Sequence, residues 1–305
     1  MYTFMKVLSW IICHVPEPVR RGMGTFIGWF FWTFVPKKRK KLAQRQIMEC
    51  GITDDPKKAM DIAEASSRRF GPMIIEVLSY PLYTKEKLDE KITWQGKEYL
   101  DQLKESGEGA VFMASHAGNW ELLGAVLAMH GYPLISVAQE QNSHSADAFI
   151  NEYRALMKQH VTYKTGIRDM VRFLSDGHYI GLLMDQDPGY TGIMVRWFGR
   201  DTLTADGPAK MAALKNYPII STFIHEDRPY HHVIEVLPPF RPFAEGVRPT
   251  REEKKQNVYD VTQALNDRLE EHIRKYPEDW FWLHNRWKWT NRYFEKVANH
   301  EMIER

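Results

Sequence analysis

Apolar residues recur along this chain in two rhythms. Short unbroken runs, "AVFMAS" at residues 110–115 and "YIGLLMD" at residues 179–185, have the length of buried strands and finish on polar side chains. "ITWQ", "YPIISTFI" and "HHVIEVL" predict three more strands. Between these runs apolar positions return every three or four residues. Over residues 56–82, Ala59, Ile62, Ala63, Ser66 and Phe70 share a helical face that Gly71 and Pro72 kink or split. Helices are also expected over residues 145–160, 169–175 and 206–215. In residues 251–275, Val258, Val261, Leu265, Leu269 and Ile273 line one face of an amphipathic helix that Pro277 ends. Apolar strands alternating with helices predict the α/β class: a mixed central sheet with helices on both faces, in which chemistry gathers at strand ends.

The first 45 residues follow a different pattern. Two apolar runs, residues 2–15 and 22–35, are separated by "PEPVRR", and each is shorter than the ~20 residues that span a bilayer. Pro16, Pro18 and the lack of a small-x-small site argue against a cleaved signal peptide, and Ile12 ahead of Cys13 argues against a lipoprotein signal. Phe26, Trp29, Phe30, Phe31, Trp32 and Phe34 suit the headgroup boundary. The basic run at residues 37–41 would meet anionic lipid, at ~1 kcal/mol per charge. Residues 1–45 are therefore expected to form a membrane-associated hairpin or in-plane anchor, its basic end in the cytoplasm, ahead of one larger domain at 46–305. The competing reading is a buried helix pair of a soluble domain.

Composition narrows the picture. A hydrophobic share of 44% supports a sizeable core, and a net charge of +2 argues against a protein-wide field for nucleic acid. The two cysteines, Cys13 and Cys50, form no disulfide framework and no metal-ligand spacing, which fits a reducing compartment.

Three polar clusters follow apolar stretches. "ASHAGNWELLG" at residues 114–124 crowds His116, Asn119 and Glu121 at a strand end. Residues five apart lie ~140° from each other on a continuous helix, so His116 and Glu121 can meet only across a turn. A turn at Ala117 and Gly118 provides it, and Glu121 would then orient His116 as a general base for a hydroxyl. Asn119 as a helix cap and Glu121 in the first turn explain those two residues without catalysis. "MDQDPGY" holds Asp185, Gln186 and Asp187, whose carboxylates suit a divalent metal, basic groups or an Asx turn. In "VRWFGRDTLTADGPAKMAA", Arg196 and Arg200 flank a glycine turn, while Thr204, Asp206 and Gly207 precede a helix. That arrangement suits phosphate binding or plain surface.

Together these blocks resemble the lipid A biosynthesis acyltransferase family, the lauroyl and myristoyl transferases. "HAGNWE" is similar to its H-x4-D/E motif, "MDQD" to its DQD strand end, "RWFGRDTLTADGPAKMA" to its FFG and GPA block, and "PEDWFWLHNRWK" to its closing segment. The resemblance implies a glycerol-phosphate-acyltransferase-like fold at the cytoplasmic face of a bacterial inner membrane. It implies an acyl carrier protein donor, a lipid A precursor as acceptor, and neither metal nor cofactor. It also implies His116 as base, Glu121 as its orienting partner and Asn119 as a possible oxyanion donor. Arg154, Asp185, Gln186, Asp187, Arg196, Phe198, Gly199 and Thr204 would line the substrate site, with Arg154 and Arg196 toward acceptor phosphates and His284 and Arg286 structural. At residues 45–47 "RQI" departs from the family's Arg-Asn-Leu-like triplet. Competing expectations are transfer to another lipid, a metal-dependent hydrolase built from His116, Asp185 and Asp187, or a membrane-surface adaptor.

Overall fold

In the computed structural model, which describes residues 1–139, 143–164, 166–244 and 246–303, helices come first. They are α1 (Tyr2–His14), α2 (Glu17–Phe34), α3 (Lys37–Glu49), α4 (Pro56–Arg68) and α5 (Phe70–Leu78). Next come α6 (Lys85–Asp89), β1 (Ile92–Gln95), α7 (Lys97–Ser106), β2 (Ala110–Ala114), α8 (Trp120–Met129), β3 (Leu134–Ala138), α9 (His144–Leu156) and β4 (His160–Tyr163). The second half holds α10 (Ile167–Ser175), β5 (Tyr179–Leu183), β6 (Ile193–Trp197), β7 (Arg200–Thr204), α11 (Gly207–Ala213), β8 (Ile219–Arg228), β9 (His231–Val236), α12 (Arg251–Lys275) and α13 (Lys288–Ala298).

Seven strands pair in the order β1-β9-β8-β2-β5-β3-β4, and β6 with β7 forms a separate antiparallel hairpin. Only β8 and β9 pair antiparallel within the large sheet, so it is mixed, as expected. Strand β2 lies at its centre with all five residues buried, which requires cover on both faces. Its side chains alternate accordingly: Val111 and Met113 join the core with α12 and the closing segment, and Ala110, Phe112 and Ala114 join the core with α7 and α8. The helix expected over 145–160 stops at Leu156, because Lys158 takes a left-handed φ of 58° and the chain re-enters the sheet as β4.

Helices α1 and α2 each carry one buried and one exposed face, α1 packing on α5 and α9 and α2 on α5 and α4. Ser9, Ile12, Gly24, Gly28 and Trp32 are buried, while Phe4, Trp10, Phe26, Trp29, Phe30 and Phe34 are exposed. No helix among the described residues is long and apolar enough to cross a membrane. Helix α2 crosses the end of α4 and the start of α5 without space for side chains at the seam: a Cβ on Gly28 would strike the Arg68 carbonyl, and one on Gly71 the Gly24 carbonyl. Gly22, in the same helix, has nothing within 4 Å of such a Cβ. The two positions therefore respond with opposite sign. Gly22→Ala is expected to raise stability by ~0.5–1 kcal/mol and Gly28→Ala to lower it by ~1–3 kcal/mol, read as urea midpoints.

Candidate active site

Parallel pairing sets the register of the site. Ala114 of β2 lies opposite Leu183 of β5, so the second residue beyond each strand, His116 and Asp185, emerges side by side. Asp185 Oδ1 accepts from His116 Nδ1 at 2.9 Å, and Oδ2 accepts from the His116 backbone N–H at 3.0 Å and Trp280 Nε1 at 2.8 Å. Burial alone would raise the Asp185 carboxyl. The His116 ring and these donors outweigh it and hold the group below the usual carboxylate range. With the Nδ1 proton engaged, the His116 Nε2 lone pair is free, and among the described residues Nε2 has no hydrogen-bond partner. The ring is partly exposed and meets the edge of Trp120 at 5.1 Å.

This geometry corrects the expected pairing of His116 with Glu121. Glu121 does sit in the first turn of α8, but its two oxygens accept from Arg154 of α9 at 2.6 and 2.9 Å. Arg154 is thereby paired with a carboxylate; burial would lower its pKa, but Glu121 overrides that and raises it. Asn119 takes the capping place: its side-chain carbonyl caps α8 through the Leu122 N–H, and one N–H of its amide donates to buried Glu76 at 2.8 Å, which ties the turn after His116 to α5. Glu76 also binds His232 Nε2 with both oxygens at 3.0 Å. Burial opposes charge on both groups. The mutual attraction wins, lowering the Glu76 pKa and raising that of His232. A lone acid in the apolar run "PMIIEVL" was the signal for this buried pair.

The remaining expected residues divide by role. Asp187 accepts from the amides of Gly189 at 3.1 Å and Trp289 at 2.8 Å, closing an Asx turn and holding the start of α13. Gln186 lies half-buried between the two aspartates. Among the described residues no three His, Cys, Asp or Glu side chains group to hold a metal ion. Arg196 is exposed on the β6–β7 hairpin, bonded to Asp201 and the Gly199 carbonyl, and is not brought to His116. Phe198 is buried under Arg274 and donates its N–H to Glu270, and Gly199 makes the hairpin turn with a φ of 70°. Thr204 is fully buried and accepts from Arg286 Nη2 at 2.9 Å. These four residues frame the fold beside the site.

The closing segment is an internal brace. Arg286 is fully buried, donates to Leu203 and Thr204 and lies over Trp197; burial pushes its pKa down to about 10. His284, lowered by burial, accepts the Asp187 N–H at 3.0 Å. Gln46, the residue that departs from the expected triplet, donates to the carbonyls of Trp282 and His284 and accepts from the Arg286 N–H. Arg69 pairs with Asp279, whose carbonyl receives the Gly118 N–H at 2.9 Å and whose carboxyl burial lifts to about 6. A histidine at a strand end, its Nδ1 turned to a buried carboxylate and its Nε2 without a partner among the described residues, has the geometry to take a proton from a bound hydroxyl.

Residues 2–289 match the family described as bacterial lipid A biosynthesis acyltransferase. The chain is similar to phosphatidylinositol mannoside acyltransferase of Mycobacterium tuberculosis, at 27% identity over 90% of this chain and 84% of that one. It is also similar to the lipid A biosynthesis palmitoleoyltransferase of Escherichia coli, at 19% identity over 92% and 88%. Among solved structures, the 1-acyl-sn-glycerophosphate acyltransferase of Thermotoga maritima aligns at 13% identity and a TM-score of 0.34, over 88% of this chain and 98% of that one.

The Glu76–His232 pair generates a pH test. A carboxyl held low stabilises above the ordinary range near ~4.3 and gives that up as pH falls; a ring held high stabilises below ~6.5 and gives that up as pH rises through its folded value. His232→Asn is expected to lower the urea midpoint at pH 6 and to flatten its decline toward pH 9. Equal pH slopes in variant and wild type would count against the ionised pair.

Proposed function

The chain belongs to the bacterial lipid A biosynthesis acyltransferase family and is an O-acyltransferase, and on that premise we propose that it moves a fatty acyl chain from an acyl carrier protein thioester to a glycolipid hydroxyl, a lipid A precursor being the first acceptor. The His116–Asp185 pair carries this reading. His116 Nε2 takes the hydroxyl proton while the oxygen bonds to the thioester carbonyl carbon. Collapse of the tetrahedral intermediate breaks the C–S bond, and the sulfur leaves with the proton that His116 holds. No acyl-enzyme is required. The Gly118 amide is bonded to Asp279 and the Leu122 amide to the Asn119 cap, so the developing oxyanion falls to the Trp120 and Glu121 amides at the start of α8, which have no intrahelical acceptor. Glu121 and Arg154 form the polar rim beside the base, where Arg154 can trade its carboxylate for an acceptor phosphate.

A second acceptor class has its own support. Identity to the phosphatidylinositol mannoside acyltransferase is 27%, against 19% to the palmitoleoyltransferase, which favours testing a mannosylated inositol phospholipid beside lipid A precursors.

The proposed location is the cytoplasmic face of a bacterial inner membrane, with residues 1–45 lying in the membrane plane. The exposed aromatic face of α2 supports it, as does an aromatic contact line from Phe31 through Phe70 and Trp120 to His116. An acyl chain entering from the bilayer would follow that line to the base.

Two experiments follow. With an acyl carrier protein thioester and a panel of glycolipid acceptors read by mass spectrometry, His116→Ala and Asp185→Asn are expected to lower transfer by ~10³-fold or more. Glu121→Gln and Arg154→Gln should each lose activity, and together no more than either alone. Asp185→Asn turnover within tenfold of wild type would reject the pair as base and orienter. Separately, Trp29→Ser combined with Phe30→Ser is expected to move the protein from the membrane pellet to the soluble fraction without lowering its urea midpoint, since both rings are exposed.

A further inference from the structure

The start of α2 places Arg20 and Arg21 beside a hollow that Lys87 and Lys91 reach from the other side. Its volume is about 180 Å³. A water occupies ~30 Å³ in the liquid, so there is room for a phosphate and part of its ester but not for a whole lipid. The charges within it do not all pair with one another. Arg21 holds Glu17 at 2.6 Å, Lys91 approaches the same carboxylate at 3.8 Å, and Glu76 in the wall is neutralised by His232. Arg20 and Lys87 reach only the carbonyls of Val15 and Leu82, and among the described residues neither has a carboxylate within ion-pair distance. Glu90 also lines the hollow and Arg20 acts on Glu17 through space, so four cations face the two carboxylates that His232 does not neutralise, and the positive charge left over is what a multivalent anion satisfies.

We propose that this hollow binds a phosphate group, carried by a lipid headgroup or by free phosphate. Arg20 and Lys87 supply the uncompensated charge, Arg21 and Lys91 share Glu17 and can turn toward the ligand, and the Tyr83 ring lies under Lys91. None of His116, Glu121, Arg154 or Asp185 lines it, so it is separate from the catalytic pair and goes beyond the acyl-transfer reading. Val19, the chain neighbour of Arg20, is an exposed apolar residue, so a lipid phosphate in the hollow would have apolar surface within one residue of a cation that holds it.

The test uses full-length protein and no transfer assay. Inorganic phosphate is titrated calorimetrically at constant ionic strength, and flotation is measured with vesicles of phosphatidylglycerol in phosphatidylcholine. Arg20→Gln combined with Lys87→Gln removes two charge-assisted contacts and is expected to weaken binding by about a hundredfold, roughly tenfold for each. Lys87→Gln alone, at an exposed position, gives a smaller loss and guards against misfolding of the double variant. Lys38→Gln with Lys41→Gln, on the neighbouring basic helix, should leave the phosphate titration unchanged. A loss in the phosphate titration supports a soluble phosphate ligand, and a loss in flotation alone supports a headgroup. Unchanged binding in both experiments overturns the proposal.

Discussion

The hydrogen-bonded burial of one carboxylate underlies the site. Asp185 is 2% exposed, and an unpaired charge at that depth would cost several kcal/mol. It is tolerated because three donors from two other parts of the chain converge on it: the amide and ring of His116 after β2, and the indole of Trp280 from the closing segment. The strand pairing that builds the sheet core is the same pairing that delivers the two side chains. Any loss of register between β2 and β5 would leave a buried anion with fewer partners, so sheet order and imidazole tautomer are specified together.

Behind that pair lies a second, more hidden layer. Trp197, Trp280, Trp282 and Trp287 are fully buried in a chain of ring contacts, and the guanidinium of Arg286 lies over Trp197 and finds carbonyl and hydroxyl acceptors in β7. The closing segment therefore acts as a wedge of rings with a charged centre, and its Trp280 tip touches Asp185. The Arg69–Asp279 pair and the Gly118 contact fasten the same segment to the turn that follows His116. Rigidity of the base comes from both ends of this wedge.

Local patterns made the helices and the central strands legible, because periodicity within one element reports which face is buried. The hairpin β6–β7 and the strands β3 and β4 were hidden: their short stretches mix polar and apolar positions, and their pairing is set by distant partners. The same limit governs the site. His116 and Asp185 were legible as strand-end residues, but which carboxylate meets the ring depends on pairing between positions 69 apart, whereas Glu121 is claimed by Arg154, 33 residues away. The side-chain spacing of a motif told which residues sit near the turn, not where each side chain goes. Gln46 shows the converse, a departure from a familiar triplet that remains a full hydrogen-bonding partner of the closing segment.

Helix α3 spans Lys37–Glu49, with the basic cluster in its first turns and Gln46 near its last. At ~1.5 Å per residue it is a rod of roughly 20 Å. One end carries surface charge and the other grips the loop whose Trp280 touches Asp185. A chain cut at residue 45 would sever that rod within its final two turns, leaving Gln46 on a frayed end with no helix to aim it. The amino-terminal segment is thus a strut as well as a surface, and shortening the protein to gain solubility would loosen the very loop that steadies the imidazole.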